Sequence, residues 1–156
     1  MKKYLFGFAM GCLTLLMASC NIESSDNGYL DGLWQLASVD TLTTGGHADL
    51  RGSNVAWAFQ GKLLELKRAE VWYVCKFTHA DGMLTLGTLF YVDRNQEDPE
   101  VKEDSEVKDG EEERSKLSAL QPYGINALEE SFKVITLKSG TMVLESTMLR
   151  LNFRKY

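Results

Sequence analysis

The stretch "NVAWAFQGKLLELKR", residues 54–68, reads as two strands and the turn between them. Val55, Trp57 and Phe59 alternate with Ala56 and Ala58, and Leu64 and Leu66 alternate with Glu65 and Lys67. A period of two places one set on a single sheet face, because successive strand side chains point to opposite sides. Gln60-Gly61 supplies the turn. The segment predicts an antiparallel hairpin with one apolar face.

The same pattern continues in both directions. Upstream, Trp34 and Leu36 share a face. Downstream, "EVWYVCKFTH", residues 70–79, is apolar on both faces, as expected of a strand covered on both sides. Asp81-Gly82 is a strong two-residue hairpin signal. "MLTLGTLFYV", residues 83–92, then sets Leu84, Leu86 and Phe90 in phase. The last three strands are "FKVITLK", "TMVLE" and "MLRLNFRKY", and in the final one Leu149, Leu151 and Phe153 oppose Arg150, Asn152 and Arg154. Before them, "SKLSALQPYGINALEES", residues 115–131, holds two possible capping pairs, Ser118 with Gln121 and Asn126 with Glu129. A helical turn or two is expected there. Pro99 and Pro122 fall outside all of these strands. The fold expected is all-β: a small up-and-down antiparallel barrel of about eight strands, with one or two short helical turns before the last three.

The chain of 156 residues carries a net charge of −5, and its acid is concentrated. Residues 93–114, "DRNQEDPEVKEDSEVKDGEEER", hold 11 acids and 4 bases. Asp93, Asn95 and Glu97 begin with the spacing of a calcium loop. The sixth position is Asp98 instead of glycine and the twelfth is Asp104 instead of Glu, so a solvated acidic loop is the better reading. With no basic stripe interleaved with aromatics, a nucleic-acid partner is not expected.

At the start of the chain, Lys2 and Lys3 precede about fourteen mostly apolar residues, too few for a spanning helix of roughly twenty. Met17-Ala18-Ser19-Cys20 resembles the lipobox of bacterial lipoproteins, in which the cysteine thiol is joined to diacylglycerol. The resemblance implies a signal peptide over 1–19, lipid attachment at Cys20 and a membrane partner reached through that acylated cysteine. By the same resemblance, Asn21 in place of Asp implies the outer membrane among the sites in the cell envelope. Residues 20–31 read as a flexible tether, and 32–156 as the folded domain with its acidic loop at 93–114. Cys12 lies in the signal, so Cys75 has no partner for an intramolecular disulfide and is expected in the core.

Gly32-Leu33-Trp34 matches the Gly-x-Trp of lipocalins, and Arg154 or Arg150 stands where lipocalins place an arginine over that tryptophan. The segments "GLWQLASV", "WAFQGKLLELKR" and "PYGINALEESFKVITLKSGTMVLESTMLRLNFRKY" resemble the small lipocalin-like domains of Gram-negative lipoproteins. That resemblance implies a barrel closed through Trp34 with Arg154 or Arg150. Lipocalins usually continue past the last strand into a helix, whereas this sequence ends at Tyr156, so a wide ligand cavity is not implied.

The sequence carries no recognisable catalytic constellation. His47 and His79 stand near turn residues, with no nucleophile-elbow pattern beside either. Trp57, Phe59, Trp72 and Tyr73 could line a ligand pocket, although alternating aromatics equally suit a core. The expected function is non-catalytic binding of a small apolar ligand, without a cofactor or metal. The alternative is a solidly packed interaction subunit of an envelope protein assembly.

Overall fold

The computed structural model describes residues 26–69, 71–92 and 110–156. Among them, ten strands form one antiparallel sheet: β1 Gly32–Thr41, β2 His47–Asp49, β3 Ala56–Gln60, β4 Leu63–Arg68, β5 Val71–Ala80, β6 Met83–Leu86, β7 Phe90–Val92, β8 Ser131–Leu137, β9 Thr141–Glu145 and β10 Leu149–Lys155. Among the described residues a single α-helix, α1, spans Gly110–Leu120. Eight strands close a barrel in the order β1, β3, β4, β5, β6, β8, β9, β10, with β10 returning to pair with β1. Strand β2 adds to the end of β1, and β7 adds to the start of β5. None of the described helices is long and apolar enough to cross a membrane.

Local chemistry explains the hairpins. Asp81 and Gly82 both have positive φ, 52° and 73°, the handedness that a tight two-residue turn between twisted strands requires. The β3–β4 register pairs Trp57 with Leu66 and Phe59 with Leu64, so the apolar set of residues 54–68 faces one way. That way is inward. Trp34, Leu36, Trp57, Leu64, Leu66, Leu84, Phe132, Met142, Leu144 and Leu151 are completely buried in one core cluster. Each large apolar side chain removed from water in this way contributes about 1.5–3 kcal/mol. Trp57 is its centre, with edge contacts to Phe153 at 5.1 Å and Phe132 at 5.7 Å between ring centroids.

Both ends of the barrel are plugged. At one end a 3-10 turn, Gly28–Leu30, buries Leu30, whose carbonyl accepts the Trp34 indole N–H at 2.7 Å. The folded body therefore starts before Gly32, inside the segment expected to be tether. At the other end a second 3-10 turn, Gln121–Tyr123, buries Tyr123, whose carbonyl accepts the Trp57 indole N–H at 3.2 Å. Gly124 follows with φ 83°, and a Cβ there would lie 2.6 Å from Leu151 Cδ2.

The cation over Trp34 is neither expected arginine. Lys155 places Nζ 4.8 Å from the ring centroid and stands opposite Trp34 in the β1–β10 register. Arg154 pairs instead with Gln35 Oε1, and Arg150 with Glu145 Oε2 at 2.8 Å. The reason is the period of two: Lys155 extends the inward row of Leu151 and Phe153, whereas Arg150 and Arg154 lie on the outer row. Gly32 suits the same contact, because a Cβ there would lie 3.0 Å from Lys155 Cε and its φ is 114°.

Other expectations are also corrected. Helix α1 begins at Gly110, within the 93–114 run, and carries Ser118 in its interior, so Ser118 is not an N-cap. The Asn126 N–H donates to Glu130 Oε2 at 2.6 Å, and not to Glu129. Among the described residues strand β5 is covered fully on one face only: Trp72 lies on its outer face, beneath Lys67 Nζ at 4.6 Å. After Leu86 the strand breaks, so Phe90 begins the separate β7. Cys20, and the calcium-like spacing of Asp93, Asn95, Glu97, Asp98 and Asp104, lie outside the described residues.

Candidate functional site

The four aromatics singled out in the sequence go to three places. Trp57 and Phe59 are in the packed interior, 0% and 2% exposed. Trp72 is on the outside wall, and Tyr73 lines a cleft. The barrel axis is filled by aromatic and aliphatic side chains, as close packing in a small eight-stranded barrel allows.

The cleft arises from an interruption in strand pairing. The upper part of β5 pairs with β7 through Trp72, Tyr73 and Val74, and its lower part with β6. Strand β8 pairs with β9 on one side and, on the side facing the cleft, with β6 from Met83 to Thr85. Among the described residues no pairing joins β7 to β8, and α1 with the turn after it lies across that side. Between them is a cavity of about 630 Å³. Tyr73, Leu89, Phe90 and Tyr91 form one wall, and Ala119, Leu120 and Leu128 the other. Exposed Glu113 and Glu129, with Lys116, edge it.

A tyrosine group forms the link from cleft to core. Tyr73 contacts Tyr91 and Tyr123 at 5.8 Å each, both edge to face. The Tyr123 hydroxyl donates to the Val71 carbonyl at 3.2 Å. Burial pushes the Tyr123 phenol up to about 12, assisted by Tyr73, and it raises Tyr73 in the same direction, with Tyr91 adding to it. Such phenols are neutral donors at physiological pH. In the loop before β8, Glu130 is buried and its carboxyl is raised by that burial, against hydrogen bonds from the Asn126 and Ala127 backbone and from Ser146. Glu130 fastens the loop that carries Leu128.

Neither Cys75 nor His47 is among the described residues that line this cleft. Burial holds the Cys75 thiol at about 12, so it is almost wholly protonated. His47 Nδ1 meets Asp40 Oδ1 at 2.6 Å on the exposed outer face, where Asn152 also donates to Asp40 Oδ2 at 2.9 Å. Those hydrogen bonds, His47 first and Asn152 next, lower the Asp40 carboxyl and tie β2, β1 and β10 together. Among the described residues no group of three metal-ligating side chains forms.

Leu89, Tyr91, Leu120 and Leu128 were not singled out as site residues by sequence. The signal available was the apolar content of residues 117–128 immediately after the acidic run, which makes α1 and its following turn a covering element instead of a plain loop.

Comparison with known proteins agrees with the architecture. A lipocalin-like protein from Bacteroides uniformis superposes with a TM-score of 0.56 at 17% identity, covering 83% of this chain and 100% of that one. An uncharacterized protein from Bacteroides eggerthii gives 0.55 at 19% identity, covering 81% of this chain and 98% of that one. These likenesses show a shared fold. No curated protein matches the sequence. Residues 15–156 match the family model of the lipocalin-like domain, and with its eight-stranded closed barrel the chain belongs to that family.

Proposed function

We propose that this protein is a lipid-anchored, non-catalytic binding protein of the cell envelope, which holds a small apolar ligand in the lateral cleft and not along the barrel axis. The observation that carries the reading is the contrast between a filled interior and an apolar cavity of about 630 Å³ beside it, a volume within the range of small-molecule sites. The lipobox resemblance at Cys20 supports the anchor and the outer membrane as its address. Two or more acyl chains hold a protein stably on a bilayer where one is marginal.

The test uses N-phenyl-1-naphthylamine as an apolar fluorescent probe. The native protein is expected to enhance its emission, and Ala119→Trp, which fills the cleft from an exposed helix position, is expected to weaken binding by about tenfold or more, or 1.4 kcal/mol. Unchanged affinity in Ala119→Trp, with an unchanged far-ultraviolet spectrum, overturns the site. Cys20→Ser is expected to abolish incorporation of labelled fatty acid, and retained label overturns the anchor.

A further inference from the structure

We infer that the barrel stands end-on to the bilayer, with the rim around Tyr29, Leu63, Met83 and Tyr156 seated at the lipid surface and the cleft directed away from it. The inference rests on the Cys20 anchor proposed above. It adds an interaction surface whose partner is the lipid headgroup region.

The first argument is reach. Asn27 and the 28–30 turn are pinned to one end of the barrel: Asn27 Nδ2 donates to the Gly61 carbonyl at 2.5 Å, Lys155 Nζ to the Tyr29 carbonyl at 3.1 Å, and Trp34 Nε1 to the Leu30 carbonyl at 2.7 Å. Six residue steps separate Asp26 from Cys20. Fully extended, they span about 22 Å at most. Headgroups above the acyl chains occupy roughly 5–7 Å of that length. Strand β5 runs from Val71 at the cleft end to Ala80 at the tether end. Its nine steps of about 3.3 Å, tilted by about 40°, give a barrel height of about 23 Å. With the cleft end on the bilayer, Asp26 would stand farther from the surface than the tether can reach.

The second argument is what the tether end displays. Tyr29 and Tyr156 are its most exposed large side chains, 61% and 67%, joined by Leu63 and Met83, while Lys62, Asp81 and Lys138 occupy its turns. Tyrosine presents an apolar ring and a polar tip, and lysine an apolar stem with a charged head, so both are accommodated at headgroup level. The far end displays Leu42, Tyr91 and Met148, exposed by 40%, 42% and 49%, so the two tyrosines above 60% are what sets the tether end apart. The cleft then exchanges its ligand with the aqueous phase or a partner, and not directly with the underlying bilayer.

The experiment uses the full-length lipidated protein in vesicles of phosphatidylethanolamine and phosphatidylglycerol. Single cysteines at exposed turns of opposite ends, Lys138→Cys and Thr147→Cys, are labelled with a fluorophore, and quenching by a headgroup nitroxide lipid is read. The label at position 138 is expected to be quenched several-fold more than that at 147. Flotation of the vesicles reports the anchor separately. Floating protein with equal quenching, or stronger quenching at 147, overturns the orientation alone, whereas protein that does not float overturns anchor and orientation together.

Discussion

Lys155 lies over Trp34, with Nζ 4.8 Å from the indole centroid, and the two residues pair directly between the last strand and the first. The contact fastens the closure of the barrel. Trp34→Ala is expected to cost about 3–5 kcal/mol, because the side chain is entirely buried. Lys155→Ala is expected to cost about 1–2 kcal/mol from the lost cation–π contact and the bond to the Tyr29 carbonyl. Urea unfolding of the double mutant should show less than additive loss, while Trp34→Ala with Arg154→Ala should be additive within about 0.5 kcal/mol. Additivity in the Lys155 cycle would remove the contact as an energetic feature.

Gly124→Ala is expected to destabilise by about 1–3 kcal/mol. The new methyl would lie 2.6 Å from Leu151 Cδ2, and the left-handed φ of 83° disfavours any side chain. The control is Gly140→Ala, where a Cβ meets nothing within 4 Å. Equal stability of the two variants would contradict the close packing of the 121–125 turn on β10.

Cys75 is expected to resist thiol reagents in the folded protein and to react readily in denaturant. It is 1% exposed, and with its thiol at about 12 instead of 9.0 its thiolate fraction at pH 8 is lower by about 10³. Fast native labelling in a timed mass-spectrometric assay would show that β5 opens locally.

Tyr123 predicts an alkaline loss of stability. Its phenol ionises near 12 in the fold and near the ordinary 10.0 when unfolded, because burial disfavours the charged form. Its stabilising contribution is full below pH 10 and is lost as pH rises through about 12. The melting temperature of Tyr123→Phe should be lower at neutral pH, for want of the bond to the Val71 carbonyl, yet fall less steeply between pH 10 and 12. Parallel slopes in both proteins would refute the assignment.

Much of the barrel was legible in short stretches. Val55, Trp57, Phe59, Leu64 and Leu66 face inward as their alternation requires, and Asp81-Gly82 turns as its residue types require. Trp72 was harder to place, because residues 70–79 carry apolar side chains on both faces and the pattern alone does not say which face lacks a cover. The cleft was less legible still. Its walls come from β5, the segment around β7, α1 and the loop before β8, and no local spacing encodes their meeting.

The sequence by itself determined the strands, their inward rows and the hairpin turns, since side-chain alternation and turn chemistry act over two to four neighbouring residues. Tertiary structure alone decided that Lys155 and not Arg154 covers Trp34, because that depends on the register between strands more than a hundred residues apart. It also decided where ligand space exists. Among the described residues β8 pairs with β6 and not with β7, helix α1 lines the far side of that gap, and the cavity forms outside a filled barrel.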